Sequence, residues 1–140
     1  MLRDHAYKYF VEKDFNCAES TLHMMNDEYG LELGEEDFRL VSGFGGGLGC
    51  GMTCGVLCAD MAALGRLAVK ERAHITPGFR ELCKEYAEVF QEKLGHGDCS
   101  VLKPKYRKDD KVKCLPLLEA AADLFEKFAA DHGLIAAREG

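Results

Sequence analysis

No Cys-x-x-Cys pair occurs anywhere in this chain, although 7 of its 140 residues are cysteine. That absence removes the simplest thioredoxin-like motif, the paired knuckles of a zinc ribbon and the Cys-x-x-Cys-His sequence that attaches haem covalently. The glycine-rich stretch from Gly43 to Gly51 lacks the lysine of a P-loop and follows no predicted strand, so a dinucleotide fingerprint fails too. Sustained strand alternation is missing throughout. No apolar run approaches the length of a membrane span, and the polar opening Met1-Leu2-Arg3-Asp4-His5 does not read as a secretory leader. The expectation is a cytoplasmic protein without membrane insertion. Basic surface is also in deficit: a formal net charge of −6 argues against general nucleic-acid binding, which relies on cations to displace counterions.

What the chain has is thiol. A free cysteine packs as a small hydrophobe, but at this density redox chemistry or metal ligation needs weighing. Permanent disulfides are uncommon in a reducing compartment, and the odd count points the same way. Nor are staples required. A chain of this length suits one domain over residues 1–140 and buries about two-thirds of its unfolded surface unaided.

Helical periodicity dominates, and the expected fold is all-α: a single-domain bundle of about five to six helices with a glycine-rich loop before a central helix. An amphipathic segment covers about Leu2 to Glu12. A second starts at Asn16, where Glu19 three residues later completes a capping box, and stops at Gly30. A short helix spans Glu35 to Val41 and gives way to the glycines, whose density implies positive φ or close backbone approach. The central helix is expected from about Thr53 to Lys70, with Cys54, Leu57, Cys58, Met61, Leu64, Gly65 and Ala68 as its inward stripe and Asp60 and Arg66 as interruptions. Thr76 and Pro77 predict the start of the next helix, which carries Phe79, Leu82, Cys83, Tyr86, Val89 and Phe90 on its core face and ends at Gly95. A loop through Gly97-Asp98-Cys99 follows. Pro116 opens the last helix, which Gly133 stops.

Cys17, Cys54 and Cys114 fall close to predicted helix N-termini, where unpaired amides and the helix dipole stabilise a thiolate. Cys99 lies in a glycine-bounded loop. Cys99 and Cys114 bracket a basic stretch holding Lys103, Lys105, Arg107, Lys108, Lys111 and Lys113, either a solvated loop or an anion or partner site. Cys50 should be accessible in its loop, Cys58 one turn beyond Cys54 either pairs with it or packs, and Cys83 reads as inert core. His96 is a base or ligand beside Cys99, or an exposed loop residue.

Asn16-Cys17-Ala18-Glu19-Ser20, then Gly43-Phe44-Gly45-Gly46-Gly47, then Cys54-Gly55-Val56-Leu57-Cys58-Ala59 running into Leu64-Gly65, with Cys99 and Cys114 beyond, form a pattern over most of the chain. It resembles the C_GCAxxG_C_C family, named for its cysteines and suspected of redox activity. The resemblance implies a small helical domain whose four marked cysteines are Cys17, Cys54, Cys99 and Cys114; Cys50, Cys58 and Cys83 have no counterpart among them. The domain is also similar to the split-Soret cytochromes, whose cysteines are credited with an iron–sulfur cluster.

Two functional readings result. In the first, Cys17, Cys54, Cys99 and Cys114 converge at one end of the bundle and exchange between dithiol and disulfide, as a possible thiol–disulfide oxidoreductase with Cys54 as nucleophile and a redox protein as partner. In the second, the same four, with Cys50 and Cys58 as further donors, hold an iron–sulfur cluster or zinc as an electron-transfer or metal module. The small residues of the central helix hint at a homodimer.

Overall fold

Asn16 begins one helix, Gly30 ends it and Gly95 ends another, as their places in the sequence predict. In the computed structural model, which describes residues 1–136, the α-helices are α1 (Cys17–Tyr29), α2 (Glu35–Arg39), α3 (Gly55–Ala68), α4 (Phe79–Leu94), α5 (Cys99–Tyr106) and α6 (Leu115–Asp131). The all-α expectation holds: among the described residues the only β feature is an isolated bridge between Thr53 and Asp98. None of the helices described is long and apolar enough to cross a membrane.

The α1 start follows from its capping box. The Glu19 N–H donates to Asn16 Oδ1 and the Asn16 N–H to Glu19 Oε1, both at 2.9 Å, satisfying two amides that the first turn would leave orphaned. Gly30 at φ +60 ends the helix in the left-handed region. The expected amphipathic segment over residues 2–12 is helical throughout, opening as a 3-10 turn (Leu2–His5) and closing as a π turn (Lys8–Glu12), and it aims Leu2, Ala6 and Tyr9 into the core against α1 and α6.

Two helix starts differ from expectation. Thr76 does not cap α4: its hydroxyl donates to the Arg72 carbonyl at 2.9 Å, and Gly78 at φ +76 turns the chain so that the helix opens at Phe79. The segment after Cys99 is helical. Its first bonds run from the Val101 and Leu102 N–H groups to the Asp98 carbonyl, and Leu102 is fully buried beneath it. Pro104 inside this helix and the lysines around it hid the period from the sequence.

α3 is the central helix, packed most extensively on α1 and touching α4 and α6. Gly55, Ala59 and Ala63 are buried within the chain, so the small residues of α3 serve the close approach of its own neighbours. The buried face is rotated from the expected stripe: Val56, Leu57, Ala59, Asp60, Ala63 and Leu64 point inward, while Cys58, Met61, Gly65 and Ala68 are half-buried. That rotation puts a carboxyl in the core. Asp60 is 1% exposed and accepts a 2.5 Å hydrogen bond from the hydroxyl of Tyr86, itself 0% exposed. Burial holds the Asp60 carboxyl well above its ordinary range, only partly offset by the Tyr86 bond. Tyr86 packs edge-on against Phe125 and Phe128, closing the core between α4 and α6.

Candidate functional site

Four helix N-termini carry four cysteines. Cys17 is the first residue of α1, Cys54 the N-cap of α3, Cys99 the first residue of α5 and Cys114 the N-cap of α6. Helix starts expose amide N–H groups and the positive end of the dipole, so each sulfur sits where partial positive charge is fixed by the backbone.

The glycine loop draws these starts together. A Cβ on Gly55 would fall 2.6 Å from Cys17 Sγ and 2.7 Å from the Phe44 carbonyl oxygen, so only glycine lets the α3 start meet the α1 start. At Gly47, with φ +66, an added Cβ would stand 2.6 Å from Cys99 Cβ and 2.5 Å from the Met52 carbonyl oxygen. The Cys54 N–H donates to the Gly97 carbonyl at 2.8 Å, and the Cys99 N–H donates to the Met52 carbonyl at 2.7 Å. These two bonds flank the Thr53–Asp98 bridge and clamp the α5 start beside the α3 start.

Cys17 is the hub. A charge on its sulfur is felt by Cys54, Cys58 and Cys114, and Cys99 in turn acts on Cys17 and Cys114. Cys17, Cys99 and Cys114 line one cleft of ≈ 280 Å³ together with Lys103, Arg107 and Lys113. A second hollow of ≈ 750 Å³ adjoins it through Gly46, Cys99, Lys103 and Arg107, and Cys50 lies on that side. Cys50 is exposed, as expected of its loop, and its thiol donates to the Gly47 carbonyl at 3.7 Å.

The expected thiolate stabilisation is outweighed. Burial pushes the Cys17 thiol up against backbone hydrogen bonds from Gly46 and Ala18 that pull it down. Burial also raises Cys114, with the nearby Cys99 and Cys17 adding to it, while Lys103 and Arg107 lower it. Cys54 is 2% exposed, and its thiol is pushed up to about 12 by burial despite the amides of Leu57 and Val56. Loss of hydration costs these sulfurs more than the helix ends return.

Cys83 lies apart. It is half-buried on α4 rather than on the core face, and burial alone raises its thiol. His96 accepts the Asp98 N–H at its Nδ1 at 2.9 Å, which shapes the turn entering α5. The residues that sequence reasoning passed over are Gly46, whose backbone reaches the Cys17 sulfur, and the buried Asp60, which is bonded to Tyr86 and whose charge acts on Cys54. Asp60 carried a legible signal, an acid in an otherwise small and apolar helix.

A family profile with the description "Putative redox-active protein (C_GCAxxG_C_C)" matches residues 15–128, which span all four helix-start cysteines. The chain belongs to the C_GCAxxG_C_C family. No curated protein and no solved structure matches it. For a single ion such as zinc the donor set is the test, since it needs three or more donors facing one point. Among the described residues no group of three or more His, Cys, Asp or Glu side chains is placed to hold a metal ion. In this arrangement the sulfurs do not fit a single-ion zinc site.

Proposed function

We propose that this C_GCAxxG_C_C protein cycles between dithiol and disulfide at the cleft lined by Cys17, Cys99 and Cys114. The observation that carries the reading is the convergence of cysteine-bearing helix starts on a single opening. Cys99 lines both hollows and is the sulfur that a disulfide bound in either one would face. Its thiolate attacks one sulfur of the substrate, a mixed disulfide forms and the other sulfur leaves as a thiol. Cys114 or Cys17 then attacks Cys99 Sγ, releasing the second substrate thiol and closing a protein disulfide. Two electrons pass from the protein pair to the substrate, and the two thiol protons end on the released thiols.

Cys54 enters differently from the expectation that it attacks first. Its burial makes it an internal partner of Cys17, reached only after the cleft pair has reacted. Because burial raises Cys17 and Cys114, these two resolving sulfurs are held as neutral thiols, which favours a site that gives electrons.

The test is peptide mapping and stopped-flow exchange on the reduced, anaerobically purified chain. A small disulfide should leave Cys99 joined to Cys17 or Cys114. Cys99→Ser should remove the fast phase, whereas Cys83→Ser should leave it. An unchanged fast phase in Cys99→Ser refutes the assignment. A visible absorption band that bleaches on reduction would replace the reading with a cluster.

A further inference from the structure

Around the cleft sulfurs the local charge is opposite to that of the chain. The protein carries a formal net charge of −6, yet three cations, Lys103, Arg107 and Lys113, line the cleft and one carboxylate, Asp14, faces them. Lys113 Nζ stands 3.9 Å from Asp14 Oδ1, and an Arg107 Nη2 donates to Asp110 Oδ1 at 2.7 Å. Among the described residues the Lys103 ammonium has no hydrogen-bond or ion-pair partner. The α5 helix sets this spacing. Cys99 and Lys103 stand one turn apart on α5, and Arg107 just past its end lines the same cleft, so one sulfur and two cations meet there. The same three line the larger hollow as well, where Gly46, Gly49 and Gly51 form the opposite wall at positive φ.

We propose that this cleft selects an anionic low-molecular-weight disulfide, one carrying carboxylates that Lys103 and Arg107 hold while its sulfur lies at Cys99. The inference rests on the exchange reading above and names its substrate class. Two adjoining hollows of ≈ 280 and ≈ 750 Å³ suit a peptide-sized molecule. A carboxylate is the group that a guanidinium fork and an unpaired ammonium recognise at hydrogen-bond range. The cations contribute at a second point. They lower the Cys114 thiol, so the anion that binds them is placed beside the sulfur they help to ionise. The exchange itself needs no further reactant: the substrate disulfide is the oxidant, the two protein thiols are the reductant and two anionic thiols leave.

The experiment compares two disulfides of opposite charge, oxidised glutathione and cystamine, as a ratio of second-order rates on the reduced full chain. The expected ratio favours oxidised glutathione by about tenfold at low salt and shrinks as salt is added, as for electrostatic steering into a charged cleft. The double variant Lys103→Glu/Arg107→Glu should invert that ratio. Lys108→Glu/Lys111→Glu, the same change of charge in the same basic stretch but off the cleft, should keep it. Because each variant is read as a ratio, partial loss of fold or of thiol activation cancels. A wild-type ratio near one, or equal effects from the two double variants, overturns the inference and leaves thiol exchange standing. No reaction with either disulfide overturns the exchange reading itself.

Discussion

Gly55→Ala and Gly65→Ala make the same chemical change in the same helix and are expected to have opposite signs. Alanine gains up to about 1 kcal/mol over glycine in a helix interior, because glycine loses more backbone freedom on folding. At Gly65 nothing opposes that gain: the nearest atom to a new Cβ is Phe79 Cζ at 4.0 Å, an ordinary contact. Gly65→Ala should therefore stabilise by about 0.5–1 kcal/mol. At Gly55 the new Cβ meets Cys17 Sγ at 2.6 Å and the Phe44 carbonyl oxygen at 2.7 Å. The sulfur can swing aside, but the carbonyl belongs to the backbone of the turn that carries the glycine loop. Overpacking of that kind costs about 1–3 kcal/mol, and the helix start recovers only a fraction of it, so Gly55→Ala should destabilise by about 1–2 kcal/mol. Urea denaturation of the reduced protein, followed by far-ultraviolet circular dichroism, reads both variants on one scale, with an unchanged slope as the check that only stability moved. Alkylation of Cys17 should also change in Gly55→Ala and not in Gly65→Ala. If Gly55→Ala is as stable as the wild type, the two helix starts do not meet at Gly55 and the site described above is wrongly built.

Removing the α1 cap by Asn16→Ala should cost about 1–2 kcal/mol, since the side chain both caps Glu19 N–H and donates to the Ser42 carbonyl at 2.9 Å; Asn16→Asp keeps the cap, so full recovery would show that the Ser42 bond adds nothing, and equal loss would show that the cap adds nothing. Asp60 holds a folded-state pKa well above the ordinary 3.8, so the stability it contributes is whole below that value and drains as pH rises toward the folded one. Relative to the wild type, Asp60→Asn should accordingly gain about 1.4 kcal/mol per pH unit through that window, and a difference that stays flat with pH would place the carboxylate in contact with water. Tyr86→Phe, which strips the hydroxyl bonded to Asp60, should cost about 1–3 kcal/mol in thermal or urea unfolding, and a neutral result would mean that Asp60 has another donor.

Local rules carried much of this protein. Asn16 with Glu19 wrote the start of α1, Gly30 its end, Gly95 the end of α4 and Pro116 the first turn of α6, because capping and left-handed turns depend on residues within a few positions of one another. The all-α class followed from periodicity, and the four-cysteine pattern of the family was readable as spacing. Three matters were decided by packing between distant segments. The face α3 presents to the core depends on which neighbours press against it, and that rotation took Asp60 inside and left Cys58 at the edge. The α5 helix forms although it contains Pro104, because Leu102 has a buried seat and the Cys99 amide is held by Met52 from across the chain. The thiols' acidity was the third. Sequence places Cys17, Cys54 and Cys114 at helix starts, which lowers a thiol's pKa, but the water removed by packing these starts together raises all three by more, and desolvation is a property only the assembled fold possesses.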